Sequence, residues 1–103
     1  MDTVSAVDQI AATRLSDAHR GQSGRIVGVS AQAVPGGVDP LELERRLLEA
    51  GFVEGARVTL LHEGPMGGDP IAVRVDDMRV ALRRREAHGV LIQLETAPGG
   101  LGT

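Results

Sequence analysis

Residues 39–75 read DPLELERRLLEAG (39–51), FVEG (52–55) and ARVTLLHEGPMGGDPIAVRV (56–75), and this stretch decides the fold. It describes a short capped helix, a tight turn, a strand, a Gly/Pro-rich loop and a second strand. Asp39 suits an N-cap, Pro40 the first helical position, and Glu42 completes a D-x-x-E pattern resembling a capping box. Gly51 stands where a left-handed C-terminal cap belongs. Phe52 to Gly55 return the chain at once to Val58, so the helix must lie close against the sheet.

At about 100° per residue, Leu43, Leu47 and Ala50 fall on one stripe of the helix, which should face the sheet. Leu41 and Leu48 fall nearly opposite, among Glu44, Arg45 and Glu49. They either pack under the N-terminal arm or the preceding loop, or form a small apolar spot that a partner reads. The first account is the simpler, because single exposed leucines are common.

After the helix the period changes to two. Val58 and Leu60 alternate with Thr59 and Leu61, and Ile71, Val73 and Val75 alternate with Ala72, Arg74 and Asp76. Asp76-Asp77 makes a short turn, beyond which Met78, Val80 and Leu82 continue on one face, so 70–75 and 78–83 form a hairpin. Upstream, Gly21 and Gly24 bracket a turn before a strand over 25–30, whose buried face is ambiguous because Ile26 and Val27 point opposite ways. Downstream, RRREAHG (83–89) is a brief helical turn, and Val90, Ile92 and Leu94 mark the last strand. Five short strands with one helix after the first bury themselves best by curling, which predicts a mainly β, five-stranded SH3-like barrel with an inserted helix. An open sheet with one helix against it is the alternative. Residues 1–14 are expected to be a mobile arm, 15–95 the domain, and 96–103 a flexible tail.

The composition narrows the function. At 103 residues the chain is one domain, and Phe52 is its only aromatic residue, so Val, Leu, Ile and Ala fill the core and a stacking site is excluded. All eleven basic residues are Arg; no physical difference from Lys would purge Lys from a whole surface, so this is compositional bias. A net charge of -3 argues against general nucleic-acid affinity. The absence of cysteine removes disulfides, thiolate metal sites and a Cys nucleophile. The N-terminus lacks the positive region of a signal peptide, and no apolar run approaches the roughly 20 residues that span a bilayer. A soluble cytoplasmic protein is expected, without membrane insertion.

His19, His62 and His88 have no local ligand spacing. His62 with Glu63 and Asp69 offers at most a transient metal site, and plain surface residues are the better reading, so no metal ligand and no cofactor is assigned. Asp76-Asp77 suits a turn better than an acid and a base. No nucleophile elbow or phosphate-binding loop is present, so no catalytic residue is assigned. In GPMGGDP (64–70), Gly67 and Gly68 allow positive φ, Pro65 and Pro70 stiffen the ends, and Met66 is an adaptable apolar contact. This loop is either a hairpin of awkward geometry or a shaped edge for a partner. The Arg83-Arg84-Arg85 run either touches phosphate or lipid headgroups or is a solvated strand end, and Glu86 and the acidic total favour the second. The residues expected to meet a partner are Arg45 and Leu48 on the helix and Met66, Gly67, Asp69 and Pro70 in the loop.

The order of small motifs resembles the ferrous iron transport protein A (FeoA) family. They are L-x-x-x-x-x-G-x-x-G-x-I from Leu15, R-L-L-E-x-G from Arg46, G-P-M-G-x-D-P-I across 64–71, and A-L-R-R-x-E-A from Ala81. The second glycine of the Gly67–Gly68 pair departs from the family pattern. The resemblance implies a cytoplasmic SH3-like barrel, without catalytic residues, that acts with the membrane ferrous iron transporter FeoB by binding its cytosolic part. Because the same domain type closes metal-dependent repressors of the diphtheria toxin type, it also implies an alternative: a small transition-metal-binding carrier or sensor.

Overall fold

The computed structural model describes residues 12–30 and 39–95. Its strands are β1 (Ala12–Arg14), β2 (Ser23–Val29), β3 (Arg57–Gly64), β4 (Gly68–Val75), β5 (Met78–Leu82) and β6 (Val90–Leu94). A 3-10 turn spans Leu15–Asp17, helix α1 covers Pro40–Glu49 between β2 and β3, and a single helical turn, α2, covers Arg84–Ala87. All pairs are antiparallel, in the order β1-β6-β2-β3-β4-β5.

The expected mainly β, SH3-like arrangement with an inserted helix is present, with two differences. There are six strands among the described residues, because Ala12–Arg14, assigned above to the N-terminal arm, pair with Leu91–Gln93 of β6. Among the described residues the sheet curls but does not close, with β1 and β5 as its two edges. Ala12–Arg14 is too short to show a period, and its partner lies far along the chain, so local pattern could not reveal it. Residues 1–11 and the expected tail 96–103 lie outside the described residues.

Helix α1 forms as its sequence requires. The Asp39 carboxylate accepts from the Leu41 N–H at 3.2 Å, with Pro40 in the first turn. Glu42 does not complete the expected reciprocal box; its carboxylate is taken by Arg45 one turn on. At the other end Gly51 has φ 100°. The Gly51 N–H meets the Leu48 carbonyl and the Phe52 N–H the Leu47 carbonyl, both at 3.0 Å, which is a Schellman cap. That cap drives Phe52, with no exposed surface, straight into the core. Leu43 and Leu47 are buried beside it, whereas Leu41 and Leu48 are 75% and 46% exposed, as the angular reading required.

The rest of the core is aliphatic: Leu15, Ile26, Val58, Leu60, Ile71, Val73, Val75, Leu82, Val90 and Ile92 are all buried. Two bulges settle what alternation alone left open. Register shifts between Ile26 and Gly28 against β6, leaving Val27 out of the pairing, so Ile26 is buried and Val27 exposed. The same happens at Leu61, between Leu60 and His62 against β4. The β4–β5 turn is Asp76-Asp77 as read, with Asp76 at φ 53°.

Candidate functional site

The helix half of the expected partner surface is solvent-facing. Leu48 lies on the outer side of α1, and Arg45 sits one turn back, bonded to Glu42 and, at 3.0 Å, to Glu49. Those two carboxylates, Glu42 first, hold the Arg45 guanidinium above its ordinary pKa. Arg45 is therefore offset by two carboxylates and braced, which suits an orienting contact better than a free charge.

The loop half is smaller than its sequence suggested. Strand β4 starts at Gly68, so only Pro65, Met66 and Gly67 cross between β3 and β4. Met66 stands 79% exposed at the tip, and Gly67 next to it has φ 72°. Gly64 is dictated by a close approach: a Cβ there would lie 2.5 Å from the Asp69 carbonyl oxygen and 2.6 Å from that of Pro70. Pro70 is exposed, but the Asp69 side chain is not free. Its Oδ1 accepts from the Arg84 backbone N–H at 2.9 Å.

Arg84 explains the loop's shape, and the sequence reading missed it. Its Nε donates to the Gly68 carbonyl at 2.8 Å, its Nη1 to the Ser16 carbonyl at 2.6 Å, and its Nη2 to Glu63 Oε1 at 2.7 Å. One side chain thus ties α2, the β3–β4 hairpin and the 3-10 turn together, with 23% of its surface exposed. The expected solvated arginine run holds for Arg83 and Arg85, which are exposed, and fails for Arg84 between them. The only signal was motif-level: in A-L-R-R-x-E-A, Arg84, Glu86 and Ala87 are the members that α2 uses. Glu86 accepts from the Arg83 N–H at 3.0 Å and from Arg46 of α1 at 3.2 Å, while Ala87 is fully buried.

These contacts relate the two halves of the surface. Helix α1 reaches α2 through Arg46–Glu86, and α2 reaches the loop through Arg84. The link from α1 to α2 is made by Arg46, about 200° around the helix from Leu48, so these contacts tie the loop to α1 without joining Leu48 to Met66.

Glu63 and Asp69, paired above with His62 as a conceivable metal site, are spent on Arg84. Glu63 also accepts from the Arg20 N–H at 3.0 Å, with His19 Nδ1 4.0 Å away. The Arg20 N–H first, then the Arg84 and His19 charges, hold the Glu63 carboxyl below its ordinary pKa against the opposing effect of burial. Among the described residues no group of three or more His, Asp or Glu side chains is placed to hold a metal ion. No helix among them is long and apolar enough to cross a membrane.

The fold and these surfaces define a small SH3-like β domain built from one curled antiparallel sheet. The FeoA domain model matches residues 13–94, and the chain belongs to the FeoA family. It is 35% identical over 81 residues to an Fe(2+) transport protein A/Fe(2+) transporter FeoB fusion protein of Porphyromonas gingivalis, a match covering 79% of this chain and 8% of that much longer one. It is also similar to FeoA of Stenotrophomonas maltophilia, a prokaryotic SH3 domain protein solved with zinc (32% identity, TM-score 0.65, 81% of this chain and 95% of that one). A manganese-dependent transcriptional repressor shares the fold over 80% of this chain and 41% of its own (23% identity, TM-score 0.65).

Proposed function

We propose that this protein is a non-catalytic accessory of ferrous iron uptake that binds the cytosolic part of a FeoB-type transporter. The observation that carries this reading is the Porphyromonas gingivalis relative, in which a domain like this one and an Fe(2+) transporter share a single chain. Covalent linkage raises the local concentration of two modules and suits partners that work in contact. The surface chemistry fits a binding module: Leu48 and Met66 are exposed apolar anchors, with Arg45 and Pro70 beside them. The carrier or sensor alternative finds no ligand cluster among the described residues, and Glu63 and Asp69 are engaged by Arg84.

The test is a pull-down of the transporter's cytosolic part with Met66→Asp and with a paired Arg45→Ala, Leu48→Asp variant. Alanine is chosen at Arg45 because an acidic residue between Glu42 and Glu49 would add repulsion within α1. Both variants should stay folded by circular dichroism, since neither touches the core, and both should lose the transporter. Folded variants that bind as the parent does would remove Arg45, Leu48 and Met66 from the interface.

A further inference from the structure

The open edge of the sheet carries a pattern of its own. Strand β5 pairs only with β4 and is otherwise unpartnered among the described residues. Its ladder begins at Val75–Met78, which closes the two-residue Asp76-Asp77 turn. A closing pair of this kind is hydrogen-bonded, so along β5 the bonds to β4 alternate, and Arg79 and Ala81 turn their N–H and C=O groups away from the sheet. Among the described residues these backbone groups take no partner, and such an edge is the usual template for an added strand.

The two faces of that edge differ in chemistry. Met78, Val80 and Leu82 share the inner face, and Val80 and Leu82 line a groove of about 330 Å³ between α1 and β5 whose other wall is Leu43, Leu47 and Ala50 with the charged Arg46 and Glu49. On the outer face Arg79 lies directly across from Arg74, and Arg83 follows β5 at the next outer position. Arg74, Arg79, Arg83 and Arg85 are all exposed, and none has a side-chain hydrogen bond or ion pair among the described residues. Arg25, Arg45, Arg46, Arg57 and Arg84, by contrast, are each bonded to a carbonyl or a carboxylate. Placing Arg74 opposite Arg79 costs stability through like-charge repulsion. In a chain of net charge -3, Arg79 on the open strand and Arg83 just after it, neither ion-paired among the described residues, favour an acidic counterpart, whereas Arg74 shares its surface with Asp76 and Asp77.

We propose that the free edge of β5 is a docking site for an extended segment of a partner protein whose side chains alternate between acidic and apolar. The segment extends the sheet through the outward backbone groups of Arg79 and Ala81. Its acidic side chains lie beside Arg79 and Arg83, with Arg74 one strand further in, and its apolar ones enter the groove against Val80 and Leu82. A second copy of this chain is a poor occupant, because it would set one basic edge against another. An anionic membrane is a poor occupant too, because a headgroup surface supplies no backbone partners for Arg79 and Ala81 and no apolar side chains for the groove beside Val80 and Leu82.

The experiment uses the whole protein and a short synthetic peptide alternating glutamate and valine. A peptide alternating lysine and valine is the control. Binding is followed by titration, and the site by amide exchange and chemical shifts. The glutamate peptide should bind in low salt and weaken as salt is raised, and the lysine peptide should not bind. Added peptide should slow exchange at the Arg79 and Ala81 amides. The paired variant Arg79→Gln, Arg83→Gln removes only exposed, unpaired charges, so it should stay folded and bind about tenfold or more weakly. Equal binding by that variant, or failure of the glutamate peptide to bind the parent, overturns the proposal. So does protection mapped to another element, protection that rises with protein concentration in the absence of peptide, or binding to anionic vesicles through the same arginines without any to the peptide. None of these outcomes depends on the transporter, so this result and the pull-down fail separately.

Discussion

Replacing Arg84 with methionine tests the central structural claim about the β3–β4 hairpin. Methionine keeps much of the aliphatic stem but removes every donor that reaches Gly68 and Ser16 at 2.8 and 2.6 Å. Hydrogen bonds to charged groups contribute about 1.5–3 kcal/mol each, so the two carbonyl bonds set an upper range of roughly 3–6 kcal/mol. The Arg84 side chain is 23% exposed, so water recovers part of this for the stranded carbonyls. The Glu63 pair is screened by solvent and is left out. The expected loss is about 2–3 kcal/mol, or roughly 8–24 °C in melting temperature for a domain of this size. Lysine keeps the charge but not the planar fork, and should lose an intermediate amount. The assay is urea unfolding by circular dichroism, since Phe52 provides no useful fluorescence, together with amide exchange over 63–70. A methionine variant within about 0.5 kcal/mol of the parent, with unchanged exchange in the hairpin, would refute the clamp.

Two further outcomes follow from burial and charge. Leu47→Ala should cost about 2–5 kcal/mol in the same melts, because Leu47 is 1% exposed. Leu48→Ala should cost under about 1 kcal/mol, since the side chain is half in water and alanine returns some helix propensity; equal losses would overturn the placement of α1. The folded-state pKa of Glu63 is lowered, so the folded protein binds fewer protons there than the unfolded chain. Its contribution is complete above the unfolded value of about 4.3 and is lost as pH falls through the folded value. Glu63→Gln should therefore reduce stability at neutral pH and flatten the acid limb of the stability profile, and an unchanged acid limb would remove Glu63 as a stabilising carboxylate.

What the sequence determined by itself was local, though neither the capping-box bond of Glu42 nor the extent of the 64–70 loop was among it. Asp39, Pro40 and Gly51 fix the ends of α1 within a turn of themselves, and the 3.6-residue period separates Leu43 and Leu47 from Leu41 and Leu48. The two-residue period and Asp76-Asp77 define the β4–β5 hairpin, because register there is set by a turn between neighbouring segments. The family resemblance was legible in the order of short motifs, although no single motif shows why its residues are kept. Tertiary structure decided the rest. Beyond its place in the A-L-R-R-x-E-A motif, which Arg83 shares, Arg84 is set apart only when the turn of α2 aims its guanidinium at carbonyls 16 and 68 positions away in sequence. The bulges at Val27 and Leu61 invert which side chains face inward, and only pairing with another strand reveals them. The sixth strand exists because β6 supplies a partner for Ala12–Arg14, whose own length carries no signal. The free edge of β5 is likewise a property of strand order, since a sequence shows which segments are strands but not which of them ends the sheet.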